Sequence, residues 1–344
     1  MGHVARGGPP EATIRGPRRP PNRRAFLVAL AAMLGAASKA AGAQRPGRVP
    51  RIALLLPADI PLEAPFRDAL RELGYVDGKS VAIERRSAGG DFSRLPALAT
   101  ELARSEPDVI VSFVTQASIA ARAATATIPV VIVGVSDPVS SGLVADLARP
   151  GGNVTGTGGH VSAVIGKQLE LIRELKPGVA RVGTLWNPTN AVFQRQMTDE
   201  ARSVAGKLGM SLAFVEARTA ADLPRSVATL AAGHVDAVLV LSEPLFVANA
   251  KHLGELLAKH RLAAVSGSRA NAEAGVLASY GPDLAQSSRR AAAYVDRILR
   301  GARPADLPIE FTAKFELVVN LRTAATLGMA IAPAVLARAD EVIR

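Results

Sequence analysis

The chain has 344 residues, 41 Lys and Arg against 30 Asp and Glu, a formal net charge of +11, and no cysteine. Apolar residues make up 49% of it, which excludes wholesale disorder, and no apolar run reaches the roughly 20 residues of a spanning helix. The lack of cysteine removes disulfides, thiolate metal sites, Cys nucleophiles and acylated-cysteine anchors.

Residues 1–24 are rich in Gly, Pro and Arg, an apolar run follows over 25–37, and Ala41-Gly42-Ala43 ends the segment. A basic region, a short apolar region and small residues in this order predict a cleavable export signal over 1–43. The alternative is a buried amino-terminal core helix. Arg23-Arg24-Ala25-Phe26-Leu27 resembles the twin-arginine pattern but has Asn22 where Ser or Thr is usual and Val28 where Lys is common. Twin-arginine and general secretory export both stay open. Residues 1–43 hold seven Lys and Arg against Glu11, so they carry +6 of the +11 and leave +5 for the remaining 301 residues. No basic cluster with interleaved aromatics survives there, so nucleic acid is not expected as a partner.

After a Pro/Gly/Arg linker at 44–50, Ile52-Ala53-Leu54-Leu55-Leu56 stopped by Pro57 predicts a strand buried on both faces. Phe66, Leu70 and Leu73 before Gly74 predict an amphipathic helix. Strands over 81–83, 108–114 and 129–134 then alternate with helices over 95–105 and 117–125. Gly151-Gly152-Asn153 precedes a strand over 154–157 and a long helix carrying Ile165, Leu169 and Ile172, stopped by Pro177-Gly178. The rhythm repeats with strands over 181–186, 212–216, 237–241 and 263–266 and helices over 191–208, 221–232 and 249–260. A strand over 275–280, a helix over 284–300, an extended crossover over 304–311 and helices around 323–327 and 333–342 complete the chain.

Strand alternating with helix at this spacing predicts right-handed βαβ units and parallel sheets. Two sets of about five strands predict an α/β protein of two doubly wound lobes, joined by crossover strands that form a hinge. The late strand and helix are expected to return to the first lobe. The division is then 50–160 with 276–303 for lobe 1 and 161–275 with 304–344 for lobe 2.

Ligands of open parallel sheets collect beyond the carboxyl ends of the strands. Thr115, Gln116, Ala117 and Ser118 follow one strand and open a helix, so their free N–H groups hold a carboxylate or the hydroxyls simply cap the helix. Asp137 in Ser136-Asp137-Pro138 either balances a ligand ammonium or belongs to an Asp-Pro turn. Asn187 and Asn190 are ligand donors or turn and cap residues. Ser242 of Ser242-Glu243-Pro244 occupies the equivalent strand end, and Tyr280 ends the late strand as a ligand contact or a core ring with a solvated hydroxyl.

Enzyme patterns fail. Gly156-Thr157-Gly158-Gly159-His160-Val161 has Val161 at the third glycine position of a dinucleotide loop, and Gly134-Val135-Ser136-Asp137-Pro138 has Pro138 where a hydrolase elbow has Gly. His160, His234, His252 and His260 show no metal spacing, and no Walker A lysine occurs. No catalytic residue, metal or cofactor is expected.

Several segments resemble the ABC-transporter substrate-binding proteins of the tryptophan-binding, TrpX-like group. They include Phe66-Arg67-Asp68-Ala69-Leu70-Arg71-Glu72-Leu73-Gly74-Tyr75, Asp137-Pro138-Val139-Ser140-Ser141-Gly142-Leu143-Val144 and Leu147-Ala148-Arg149-Pro150-Gly151-Gly152-Asn153-Val154-Thr155-Gly156. Leu185-Trp186-Asn187-Pro188, Tyr280-Gly281-Pro282-Asp283 and Lys314-Phe315-Glu316-Leu317-Val318-Val319-Asn320 continue the match, as do 294–301 and 336–342.

The resemblance implies the type I periplasmic binding fold, two lobes closing on a small, amino-acid-like solute and delivering it to an inner-membrane ABC permease. The protein is then expected to be a periplasmic monomer without a lipid anchor. Thr115, Gln116, Ala117 and Ser118 would hold the ligand's anionic group and Asp137 its cationic group. Asn187, Asn190, Ser242 and Tyr280 would close the other side. The rival readings are an exported α/β enzyme acting through Asp137 or Ser136, and a ligand-presenting partner of a receptor kinase.

Overall fold

β1 (Arg51–Leu56) is buried from its second residue onward, and its side chains divide between two cores: Ile52, Leu54 and Leu56 enter one, Ala53 and Leu55 the other. Successive side chains of a strand point to opposite faces, so a strand covered on both faces reads as a continuous apolar run. β3 (Val109–Phe113) and β4 (Val130–Val135) are buried throughout for the same reason. With β2 (Ala82–Ser87), β5 (Val154–Gly158) and the short β11 (Glu310–Phe311) they form a six-stranded sheet of order β11-β5-β4-β3-β1-β2. Every pairing in it is parallel.

One face of this first sheet is covered by α1 (Glu63–Glu72) and α10 (Leu284–Leu299), whose Phe66, Leu70, Tyr294 and Val295 are fully buried. The Phe66 and Phe113 rings meet edge to face at 6.0 Å and 87°. The other face is covered by α2 (Leu95–Arg104) and α3 (Val114–Ala124).

The second sheet has seven strands in the order β13-β12-β10-β9-β8-β6-β7. They are β6 (Arg181–Trp186), β7 (Ser211–Glu216), β8 (Ala237–Val240), β9 (Ala264–Ser266), β10 (Ala278–Pro282), β12 (Phe315–Asn320) and β13 (Glu341–Ile343). All pairings are parallel except β10 with β12. The helices α4 (Ile165–Leu175), α5 (Ala191–Lys207), α11 (Leu321–Leu327) and α12 (Pro333–Arg338) cover one face. The other face lies under α6 (Leu223–Ala232), α7 (Pro244–Ala248) and α8 (Ala250–Lys259), with the short α9 (Arg269–Glu273) following β9.

This computed structural model describes Gly2 and residues 48–159 and 164–344. The expected export signal over 1–43, and His160, lie outside the described residues. Gln44–Arg344 forms one compact unit, divided from Met1–Ala43. Among the described residues, no helix is long and apolar enough to cross a membrane.

The lobe division expected from the sequence needs two corrections. β10 pairs with β9 and β12, so 276–282 belongs to the second sheet, and of the late strand and helix it is α10 that returns to the first lobe. β11 pairs with β5, so 304–311 belongs to the first lobe. Side-chain bonds hold this late segment in place: Tyr294 Oη donates to the Pro308 carbonyl at 2.6 Å and Thr155 Oγ1 to the Leu307 carbonyl at 2.7 Å. The final helix is also shorter than expected. It stops at Arg338, and Asp340 bonds both backbone groups of Leu317, which sets β13 beside β12.

Candidate functional site

The carboxyl ends of the two sheets face each other across a cavity of about 430 Å³, within the ~300–1,000 Å³ range of small-molecule sites. The first lobe contributes Ile60 and Leu62 after β1, Val114, Thr115 and Gln116 after β3, and Ser136 after β4. The second lobe contributes Phe193 on α5, Ser242, Glu243 and Val247 after β8, and Arg269 on α9. Asp283 and Glu316, beside the crossovers, close the hinge end.

Glu243 is the chemical centre of this cavity. It stands at the start of α7, 2% exposed, and its carboxylate is surrounded by amide donors. Asn187 Nδ2 donates to Oε1 at 3.3 Å, while Asn190 Nδ2 and Gln194 Nε2 donate to Oε2 at 2.8 and 3.2 Å. Burial pushes the Glu243 carboxyl up to about 7, although the Asn190 amide, the Leu245 backbone N–H and the Asn187 and Gln194 amides all oppose that rise. A buried carboxylate bonded by neutral donors is the natural counterpart of a ligand cation.

On the opposite wall α3 begins at Val114, three residues earlier than the sequence pattern suggests. Val114 takes φ 56°, unusual for a β-branched residue and a mark of strain of about 1–3 kcal/mol. The first N–H groups of α3 lack intrahelical acceptors, and Thr115 and Gln116, which carry two of them, line the cavity. Ser136 is 8% exposed, and its Oγ is buried without a partner; Ser242 Oγ is likewise unpartnered. Buried hydroxyls are normally bonded, and among the described residues these two unpartnered atoms belong to residues that line the cavity. Gln116 Nε2 of the first lobe donates to Asn190 Oδ1 of the second. The two lobes therefore touch across the cavity.

Of the residues singled out in the sequence, Thr115, Gln116 and Ser242 line the cavity. Asn187 and Asn190 stand behind Glu243 and bond it instead of lining the wall. The other four do not reach it. Ala117 enters the first-lobe core, and Ser118 Oγ bonds the Val114 carbonyl at 2.8 Å and Ser112 Oγ at 2.9 Å. Asp137 is a turn residue: its Oδ1 accepts the N–H groups of Val139 at 3.1 Å and Ser140 at 2.9 Å. Burial alone would raise its pKa, but the Ser140 and Val139 bonds outweigh that and hold it below the usual range. Tyr280 stacks on Phe315 with ring centroids 6.1 Å apart, because β10 lies in the second sheet beside β12.

Glu243, Ser136, Phe193 and Arg269 were not selected as site residues from the sequence. The signal for Glu243 was present, an acid followed by proline directly after an apolar strand, but its neighbour Ser242 was preferred. Arg269 carries no comparable signal, since it is paired with Glu316, Glu273 and Glu341.

Two α/β lobes with a partly apolar cavity between their strand ends define a two-lobed receptor for a small solute. The chain belongs to the family of ABC transporter substrate-binding proteins, whose family model matches residues 61–343. That family is defined by binding, not by a reaction. A "Tyrosine-binding protein" of Clostridioides difficile strain R20291 is 27% identical over 264 residues, which cover 77% of this chain and 75% of that one.

Among solved structures, the ABC domain of Streptococcus pneumonia in complex with L-Trp has a TM-score of 0.77 at 27% identity, covering 86% of this chain and 100% of that one. The ligand-free, open structure of a substrate-binding protein with adhesive properties from Clostridium difficile gives 0.60 at 25% identity, covering 86% and 99%. At nearly equal identity, then, the chain superimposes better on the L-Trp complex. A solute-binding protein from Bacillus halodurans with bound myo-inositol, 15% identical with a TM-score of 0.55 over 79% of this chain and 94% of that one, shares the fold alone. The fold is that of the type I periplasmic binding proteins.

Proposed function

We propose that this solute receptor takes an α-amino acid with an aromatic or large apolar side chain and delivers it to an inner-membrane ABC permease, working as an exported monomer outside the cytoplasm. The observation that carries the ligand class is Glu243, a buried carboxylate on a cavity whose walls also include the apolar Ile60, Leu62, Phe193 and Val247. Its part is to accept the ligand ammonium. The first-turn N–H groups of Thr115 and Gln116, with Ser136 Oγ, would hold the ligand carboxylate from the other lobe. Phe193, Val247 and Ile60 supply the apolar wall for the side chain. The C. difficile and S. pneumonia relatives, whose names state tyrosine and L-Trp, support the same class. A ligand that touches both lobes does so only when they are closed, so binding shifts the population toward closure.

Calorimetry with L-tyrosine and L-tryptophan tests this, with heats of binding expected for at least one of them and compaction in small-angle scattering. Absence of both signals with both amino acids would remove the ligand assignment. The affinity is also expected to depend on pH. The ammonium needs an ionised Glu243, and that carboxyl sits at about 7 in the enclosed state. Affinity therefore falls as the pH is lowered through that value, approaching about tenfold per unit. A flat profile between pH 5.5 and 8 would place the ammonium elsewhere.

Asp137 has a different expectation. Asp137→Ala costs about 1 kcal/mol of stability through its turn bonds and leaves amino-acid affinity within about twofold of the parent, because the carboxylate does not line the cavity. Melting and calorimetry on the same variant read both halves.

A further inference from the structure

The amide of Asn190 is gripped from both sides. Its Oδ1 accepts from Gln116 Nε2 on α3 of the first lobe, and its Nδ2 donates to Glu243 Oε2 at 2.8 Å in the second. An Asn side chain has one acceptor atom and one donor group, so these bonds fix which way the amide faces. Turned over, it would set its oxygen against the carboxylate and its NH₂ against that of Gln116. Among the described residues, Asn190 is the one of the three side-chain amides on Glu243 that is bonded from the opposite lobe. Asn187 is otherwise bonded to Thr189, and Gln194 to Asn187 and Ser242.

We propose that Asn190 is a positioning residue, a relay through which closure of Gln116 onto the second lobe orients the amide that holds the Glu243 carboxylate for the ligand. Opening withdraws Gln116, exposes Asn190 Oδ1 to water and frees the amide to turn. Closure restores the chain of bonds Gln116→Asn190→Glu243, so the second lobe senses the first without direct contact between Gln116 and Glu243. The proposal rests on Glu243 receiving the ammonium.

Charged groups nearby do not supply this link. Arg195 on α5 bonds the Ala191 carbonyl, and Arg269 and Glu273 on α9 pair with each other. Lys251 and His252 on α8 are exposed. Lys314 pairs with Asp283 and Glu316 at the hinge, and Arg85 with Asp59 and Glu63 on the first lobe.

The test is a double-mutant cycle of Gln116→Ala and Asn190→Ala, with Glu243→Gln beside it, read by L-tyrosine calorimetry from pH 5.5 to 8.5. Each single substitution is expected to weaken binding by about five- to thirty-fold, and the double variant to be no weaker than Asn190→Ala alone. Loss of a donor to the carboxylate raises its pKa, so the pH midpoint of binding moves upward in Asn190→Ala and in the same direction in Gln116→Ala. Additive losses, or an unmoved midpoint in Gln116→Ala, would overturn the relay.

If Glu243→Gln binds as well as the parent, the Glu243 reading fails. If it binds poorly while the cycle is additive, only the relay fails. Melting of the ligand-free variants gives a readout that needs no amino acid: the pH at which the Glu243-linked fall in Tm ends is expected to rise in Asn190→Ala, and an unchanged profile counts against the proposal. Gln116 is half-buried on the cavity wall, so its truncation spares the core and keeps the cycle readable.

Discussion

Glu243→Gln is expected to weaken binding of L-tyrosine or L-tryptophan by a factor between about 30 and several thousand, the 2–5 kcal/mol typical of removing one member of a buried, bonded charge pair. The same substitution should flatten the dependence of Tm on pH. In the parent, burial pushes the folded carboxyl up to about 7, against about 4.5 for an exposed Glu. As the pH rises between those values the unfolded chain releases its proton first, so stability falls across that window and levels off above it. Glutamine cannot titrate and lacks that slope. A variant with full affinity would show that Glu243 serves the fold and not the ligand, and one that keeps the slope would show that another group titrates in that window. Calorimetry and melting from pH 4 to 8 decide between these.

Gly156→Ala is expected to be the most damaging single methyl group in the first lobe. Gly156 lies in β5 with φ +132°, and a Cβ there would stand 2.2 Å from the Ile132 carbonyl oxygen and 2.6 Å from the Ile132 nitrogen. Both are backbone atoms of the neighbouring strand, so β4 and β5 must separate. A loss above about 3 kcal/mol follows, which for a chain of this size lowers Tm by about 5 °C or more. Gly206→Ala is the control. It sits in α5 with nothing within 4 Å of the added carbon, and is expected to stabilise by about 0.5–1 kcal/mol. Melting of the two variants side by side checks the contrast.

Gly156 also shows what the sequence could and could not disclose. Gly156-Thr157-Gly158 resembles the start of a phosphate loop, yet the glycines answer to packing: the Phe311 ring lies 2.5 Å from where a Gly158 Cβ would be. Phe311 comes from more than 150 residues further along the chain, so no local pattern announces it. Local periodicity was legible, since apolar strand runs and helix stripes depend on near neighbours. That is why β1, β3 and β4, and the helices between them, fall close to where the pattern puts them. The assignment of β10 and β11 to their sheets was not legible, because it depends on which edge each meets in space.

The site divides in the same way. Strand ends pointed to loops that meet at one cavity, and Thr115, Gln116, Asn187, Asn190 and Ser242 lie around it or among the amides behind it. Direction was the missing information. Asp137 and Glu243 are both acids preceding proline after a strand, but the first turns back to its own loop's N–H groups and the second faces the cavity. Tyr280 was displaced from the site by the strand that carries it.

The return of α10 and β11 to the first sheet has a consequence for the order of assembly. The first lobe cannot complete its core until Tyr294, Val295 and Leu307 have been made, well over a hundred residues after β5. Its core contacts span a long loop, and closing such a loop early is entropically unfavourable. The central strands β6 to β10 of the second sheet and their helices are, by contrast, nearly contiguous in the chain. The second lobe is therefore expected to nucleate first and to serve as the template on which the two halves of the first lobe meet. A fragment ending at β5 should stay largely unfolded.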